Sequence, residues 1–255
     1  MPLRTTYAQG TPNWVDLQTS DQEAAKAFYG RLLGWEFNDE PVPGGSTYSM
    51  ALKNGSEAAA IAPQTAEQRG RPPMWNTYFA VEDVDATAAK VEAGGGTLFT
   101  PVFDVLEFGR MVAGADPSGA AFCLWQAYSH IGASLVNEPG GVVWNELITS
   151  SPEQAVPFYQ ELLGLAVTET ELDGEKYTML QADGTDVAGV SQPPDVGLPN
   201  HWHVYFAVDD IAAAAAQTPS LGGAVLMAPF ETPVGQMAML ADPQGAAFSI
   251  HQPGA

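Results

Sequence analysis

Disulfide staples, a grip on nucleic acid and a membrane span are all things this chain has little means to make. One cysteine, Cys123, stands among 255 residues, so no internal disulfide can form and no cysteine pair is on hand for zinc. Basic residues are scarce. Nine of them against thirty acidic ones give a formal charge of −21, a field that repels phosphate backbones and anionic lipid heads and argues against nucleic-acid or membrane partners. No apolar run approaches the roughly 18 residues that cross a bilayer, and the opening residues lack a secretory apolar core. A cytoplasmic, soluble protein is the expectation. Nucleotide signatures are missing too: there is no Gly-x-Gly-x-x-Gly turn, and Gly94-Gly95-Gly96 follows a helical pattern instead of opening one.

What is there is an internal repeat covering nearly the whole chain. Trp14-Val15-Asp16-Leu17 returns as Trp144-Asn145-Glu146-Leu147, Phe28-Tyr29 as Phe158-Tyr159, and Leu32-Leu33-Gly34 as Leu162-Leu163-Gly164, each 130 residues on. Tyr78-Phe79-Ala80-Val81 returns after 127 as Tyr205-Phe206-Ala207-Val208, and Asp116-Pro117-Ser118-Gly119 after 126 as Asp242-Pro243-Gln244-Gly245. A spacing that shrinks this slowly means a duplicated unit with small loop deletions. The expected halves are residues 1–132 and 133–255, joined by a breaker-rich linker near 129–141.

Each half reads as α+β. A short alternating strand at 13–19 precedes a helix over about 21–32, with Ser20 or Asp21 as cap and Gly34 as the left-handed stop. Ala24, Ala25, Phe28, Leu32 and Leu33 share one side of that helix at the 3.6-residue period. In the second half Pro152 takes the tolerated first position, and Pro157 is expected to kink the helix. Asn54-Gly55 predicts a hairpin turn between strands 48–53 and 58–62. The second quarter repeats the order, with a strand at 76–81, a helix at 83–93 and strands near 97, 110 and 121. The fourth quarter matches it, giving four βαβββ units in all.

Strand parity then sorts side chains onto two faces. Val15, Leu17, Phe79, Val81, Phe122 and Leu124 belong under the helices. The opposite, concave face receives Trp14, Asp16, Asn76, Tyr78, Cys123 and Trp125 in the first half, and Trp144, Glu146, His203, Tyr205, Ser249 and His251 in the second. Polar groups gathered in a concavity need partners, so such a set points to a bound water or ligand. Indole and phenol rings suit a planar aromatic molecule, Asp16 or Glu146 suits a cationic group on it, and Cys123 reads as a buried structural thiol.

The Trp-x-x-Leu strand, the Phe-Tyr-x-x-Leu-Leu-Gly helix and the Asp-Pro-x-Gly turn, in order and twice, resemble the vicinal oxygen chelate superfamily of glyoxalases, bleomycin-resistance proteins and extradiol dioxygenases. Within it the likeness is to tandem glyoxalase-like proteins of actinobacteria, some labelled hydroxylases. The resemblance implies two tandem domains with cupped mixed sheets and helices on the outside. Metal-dependent members carry a histidine on the first strand, another on the strand before the second helix, and a glutamate after the Asp-Pro-x-Gly turn. Those places hold Trp14 and Trp144, Asn76 and His203, and Cys123 and Ser249. His203 is the one imidazole among them and the one weak metal candidate, so no cofactor is expected. A divalent metal near Glu146, His201, His203 and His251 is the alternative.

The resemblance thus implies a small-molecule binder that sequesters a planar aromatic natural product, such as a cationic antibiotic, or presents it to a modifying enzyme. The alternative is a glyoxalase-like lyase or isomerase, or a hydroxylase acting on a carbonyl or phenolic compound, with Asp16, Glu146 or His203 as general base.

Overall fold

The computed structural model describes residues 3–42, 45–66, 68–172, 174–193 and 198–254. The first half runs β1 (Pro12–Thr19), α1 (Gln22–Leu33), β2 (Glu36–Val42), β3 (Ser46–Lys53), β4 (Ser56–Pro63), β5 (Met74–Ala80), α2 (Val84–Ala93), β6 (Thr97–Leu98), β7 (Phe103–Val105), β8 (Gly109–Ala115) and β9 (Ala121–Ala127). The second runs β10 (Val142–Ile148), α3 (Pro152–Leu163), β11 (Ala166–Leu172), β12 (Glu175–Ala182), β13 (Thr185–Ser191), β14 (His201–Ala207), α4 (Ile211–Gln217), a 3₁₀ turn (Thr218–Leu221), β15 (Ala224–Thr232), β16 (Gly235–Ala241) and β17 (Ala247–Pro253). Each half forms its own mixed sheet, in the order β2-β3-β4-β1-β5-β9-β8-β6 with β7 on β8, and β11-β12-β13-β10-β14-β17-β16-β15. The architecture is the expected α+β tandem.

Local signals explain the element ends. Asp21 caps α1 by accepting the Ala24 amide at 3.0 Å, Asp83 does the same for α2 from Ala86, and Gly34 closes α1 at φ 72°. Asn54 and Gly55 both take positive φ, as a two-residue hairpin requires. The third helix runs unbroken through Pro157 from Pro152 to Leu163. On α1 the fully buried residues are Ala25, Phe28, Tyr29 and Leu33, while Leu32 is half-buried against the same core and Ala24 is half-buried.

The helices lie outside the cups, on the convex side of each sheet, and there the two halves meet. One core joins Val15, Leu17, Phe28 and Tyr29 to Val204, Phe206, Leu240, Phe248 and Ile250 of the other half. The second core is its counterpart, joining Phe79, Val91, Phe122 and Leu124 to Leu147, Phe158, Tyr159 and Leu163. Each core is therefore half one repeat and half the other.

Rings bridge the sheets in matched pairs, Trp75 against Phe206 with centroids 5.0 Å apart and Phe79 against Trp202 at 4.9 Å. Tyr29 accepts the Trp75 indole N–H at 3.1 Å and donates across the halves to Asp242 Oδ2 at 3.3 Å. Tyr159 repeats the first bond with Trp202 at 2.9 Å and faces Asp116. Each aspartate holds its own Asp-Pro-x-Gly turn as well, Asp116 Oδ1 accepting the Ser118 and Ala120 amides and Asp242 Oδ1 those of Gln244 and Ala246. Thr77 completes the seam by donating to Asn145 Oδ1 at 3.0 Å.

Shared cores predict shared unfolding. Phe248 is fully buried against Phe28, Tyr29 and Phe206, so Phe248→Ala should cost about 3–5 kcal/mol. Urea denaturation followed by far-UV circular dichroism and tryptophan fluorescence should show one coincident transition, moved as a whole. Two transitions, only one of them shifted, would contradict the shared core.

Candidate functional site

With the convex faces pressed together, the concave faces open in opposite directions and form two cups. In the first, Trp14 lies opposite Tyr78 and Asp16 opposite Asn76; in the second, Trp144 lies opposite Tyr205 and Glu146 opposite His203. Tyr78 in turn neighbours Cys123, and Tyr205 neighbours Ser249. The register thus brings each predicted set together on one face of its own sheet.

Both cups carry the same chain of hydrogen bonds. The Trp14 indole donates to the Tyr48 hydroxyl at 2.8 Å, and Tyr48 donates to Asp16 Oδ2 at 3.2 Å. Tyr78 donates to the same oxygen at 2.7 Å and Asn76 to Oδ1 at 2.7 Å. In the second cup Trp144 donates to Tyr177 at 2.9 Å, and Tyr205 donates to Glu146 Oε2. Glu146 also faces the Tyr177 phenol. Gly189, paired with Glu146, makes this possible, because a Cβ there would fall inside the Tyr177 phenol. Tyr48 and Tyr177 escaped the sequence reading. They come from the third strand of each half, and a tyrosine there reads equally well as packing.

The cups differ in what covers them. Over the first, the segment between β9 and β10 folds back across the opening. Asn13, at a bulge in β1, donates to the Ile131 carbonyl at 2.8 Å and accepts the Ala133 amide at 2.8 Å through its own carbonyl. This sets the His130 ring edge-on to Trp14, centroids 4.6 Å apart, and within 5.8 Å of Trp125, with Nδ1 3.3 Å from Glu57. Trp14, Tyr78, Cys123, Trp125 and Ala133 become a buried cluster, with Trp14 only 5% exposed. The second half has Val143 at the bulge in place of Asn13, and Trp144 stays half-buried. His130 was not among the predicted residues, and its place in the linker gave no periodic signal.

The chemistry of individual groups follows from burial. Desolvation raises the Asp16 carboxyl above the ordinary range, against the pull of Asn76, Tyr78 and Tyr48, and all three donors come from the chain itself. Burial and the nearby Asp16 also push the Cys123 thiol up, which makes it a poor nucleophile. His203, 2.9 Å from Ser249 Oγ through Nε2, is lowered to about 3 by burial and then by His201. At that value it is a weak general base near neutrality.

No group of three His, Cys, Asp or Glu side chains close enough to hold a metal ion occurs among the described residues. At the first-strand positions the indole N–H groups are donors already engaged with tyrosines, and an N–H donor offers no lone pair to a cation. The donor set does not fit the metal centre that the resemblance implies. A separate cleft of about 330 Å³ lies on the helix side, bordered by Pro152, Val156, Pro157, Thr178 and Val190. It contains none of the candidate residues. In the first half the corresponding space holds Gln22 and Lys26, bonded to Ser49 and Asp39. Among the described residues no helix is long and apolar enough to cross a membrane.

Residues 11–124 and 130–250 match the model of the Glyoxalase/Bleomycin resistance protein/Dioxygenase superfamily. The chain is 53% identical over 257 residues to "Putative glyoxylase CFP32" of Mycobacterium tuberculosis, covering 99% of this chain and 98% of that protein. It is 38% identical over 259 residues to "Anthracycline biosynthesis protein DnrV" of Streptomyces peucetius, covering 96% and 94%. Among solved structures it is similar to the Mn(II)-bound glyoxalase from Novosphingobium aromaticivorans, with a TM-score of 0.68 at 17% identity over 96% of this chain and 83% of that one. The 2,3-dioxygenase LapB from Pseudomonas sp. KL28 gives a TM-score of 0.68 at 19% identity, over 98% and 94%. At such identities the structural likeness speaks for the fold alone.

The lowered His203 has a consequence for stability. Because the unfolded chain takes up this proton near pH 6.5 and the folded chain only near 3, the contribution is complete above pH 6.5 and is lost as pH falls through that window. Between pH 7 and pH 5 the loss is about 2 kcal/mol. Urea titrations at the two pH values should show wild type losing that much more than His203→Gln. Parallel losses would mean that His203 is not buried neutral.

Proposed function

The chain belongs to the glyoxalase/bleomycin resistance protein/dioxygenase superfamily, and we propose that it is a member that binds a planar aromatic natural product in its second cup without a catalytic metal. The observation that carries this reading is the contrast between the cups. Trp14 is sealed under the linker and packed by His130, whereas Trp144, with the same bonding to a tyrosine, stays half-buried beside a carboxylate. An indole face left partly open next to Glu146 and Tyr205 can stack on a flat ring, a contact that contributes about 0.5–1.5 kcal/mol beyond area burial. Glu146 and the overall charge of −21 favour ligands that carry a cationic group.

A relative named for anthracycline biosynthesis fits this chemistry, since anthracyclines are flat polycyclic aromatics with an amino sugar. Sequestration of such a molecule, or its presentation to a modifying enzyme in the cytoplasm, is the corresponding role. A lyase, isomerase or hydroxylase activity on a carbonyl or phenolic compound is the second reading, favoured by the relative named as a glyoxylase.

Calorimetric titration with a hydroxyanthraquinone separates the two. Trp144→Ala should weaken binding about tenfold, and Trp14→Ala should act on stability far more than on affinity. Glu146→Gln should weaken an aminated analogue more than the neutral one. Unchanged binding in Trp144→Ala would remove the binding reading. Stoichiometric Mn, Fe, Ni or Zn in the purified protein, with turnover abolished by a chelator, would establish the enzyme instead.

A further inference from the structure

His251 lies on the cup face of β17, opposite Met237 and beside Ala207, and is only 7% exposed. Its two ring nitrogens are in unlike states. Nε2 sits 3.0 Å from the Val234 carbonyl oxygen. A carbonyl can only accept, so Nε2 carries the hydrogen, and in that neutral tautomer Nδ1 keeps a lone pair. Nδ1 is buried and has no hydrogen-bond partner among the described residues. Buried acceptors are nearly always met by a donor, so an orphan on the cup side of the sheet marks a place where a donor from outside belongs. Nδ1 has almost no exposed surface of its own, and a donor reaches it when the flexible Met237 side chain facing the ring moves aside. The first half shows the same position satisfied. There Trp125, 126 residues earlier, donates its indole N–H to the His130 carbonyl at 2.8 Å, and the linker covers it.

Beside His251 runs an apolar shelf. On β16 Met237 faces His251 and Met239 faces Ser249, while on β15 Phe230 pairs with Met237 and Met227 with Met239. Directly paired residues share a face, so these four side chains stand on the cup side. Met227 is 47% and Phe230 41% exposed, which leaves flexible thioethers and one ring open at the rim. The cup thus offers hydrocarbon contact along one wall and, on the same face, a buried acceptor without a partner among the described residues.

From this we infer that the second cup takes a hydroxyl-bearing aromatic molecule, whose O–H donates to His251 Nδ1 while its hydrocarbon body rests on the Met227–Phe230–Met237–Met239 shelf. The inference rests on the reading of that cup as an aromatic-binding site. It adds which substituent the ligand must present and which residue recognises it.

Two probes test it, 2-hydroxyanthraquinone and its methyl ether, titrated into the full chain by calorimetry. Wild type should bind the hydroxyl compound about tenfold more tightly than the ether, and His251→Phe should bring the two within a factor of two. In wild type labelled with ¹⁵N-histidine and saturated with each probe, the His251 Nδ1 resonance should move much further with the hydroxyl compound than with the ether, a readout that needs no variant to fold. Equal affinities for the two probes in wild type, or an Nδ1 resonance moved alike by both, would overturn the role of His251 and leave the aromatic site standing. Absence of binding by either probe would overturn both.

Discussion

The whole molecule depends on two sheets being pressed back to back. Trp75 against Phe206 and Trp202 against Phe79 form the contact, and the phenols of Tyr29 and Tyr159 hold the indoles in place. Neither half can bury its convex face alone, because the apolar side of α1 is completed by β14, β16 and β17, and that of α3 by β5, β8 and β9. Once the convex faces are joined, the concave faces have nowhere to point but outward. The cups are a consequence of how the backs are packed, and they open away from each other for the same reason.

Duplication supplied each cup with one device, a tryptophan and two tyrosines gathered about a buried carboxylate. A carboxylate in that setting is costly unless donors surround it, and the first cup supplies three. Divergence acted on the surroundings of the device. Asn13 anchors the linker through its side chain and carbonyl, and the rings of Trp14, Trp125 and His130 then fill the first cup as a small core. Val143 has no amide side chain with which to make that anchor. Both carboxylates are buried, but the first lies under that small core and the second lies beside a tryptophan that stays half-buried.

The same divergence bears on metal chemistry. Where the family resemblance implies imidazoles on the first strand of each half, the chain has indoles whose N–H groups are spent on tyrosines. His203 sits at the one corresponding place that keeps an imidazole, and burial holds that ring neutral beside Ser249. The second cup brings together a half-buried indole, a carboxylate and an imidazole nitrogen that has no hydrogen-bond partner among the described residues.

Much of this was legible in the sequence, because strand parity and helix period are local. The repeat gave the four units, Ser20-Asp21 and Gly34 marked the limits of the first helix, with Asp21 the cap in the structure, and parity placed Trp14 with Asp16 and Trp144 with Glu146 on the concave side, where the register puts them. Tyr48, Tyr177 and His130 were not legible, since each gains its role from a residue far along the chain. The same holds for Asp116 and Asp242, which announced a turn but gave no sign of facing the tyrosines of the opposite half. Sequence by itself determined the elements, their faces and the two sets of residues that share the concave side, all properties of backbone geometry within a few residues. Only the tertiary structure decided that the halves share their cores, that the linker seals one cup and that a His251 nitrogen has no partner among the described residues, because these depend on contacts between segments about a hundred or more residues apart or on the absence of one.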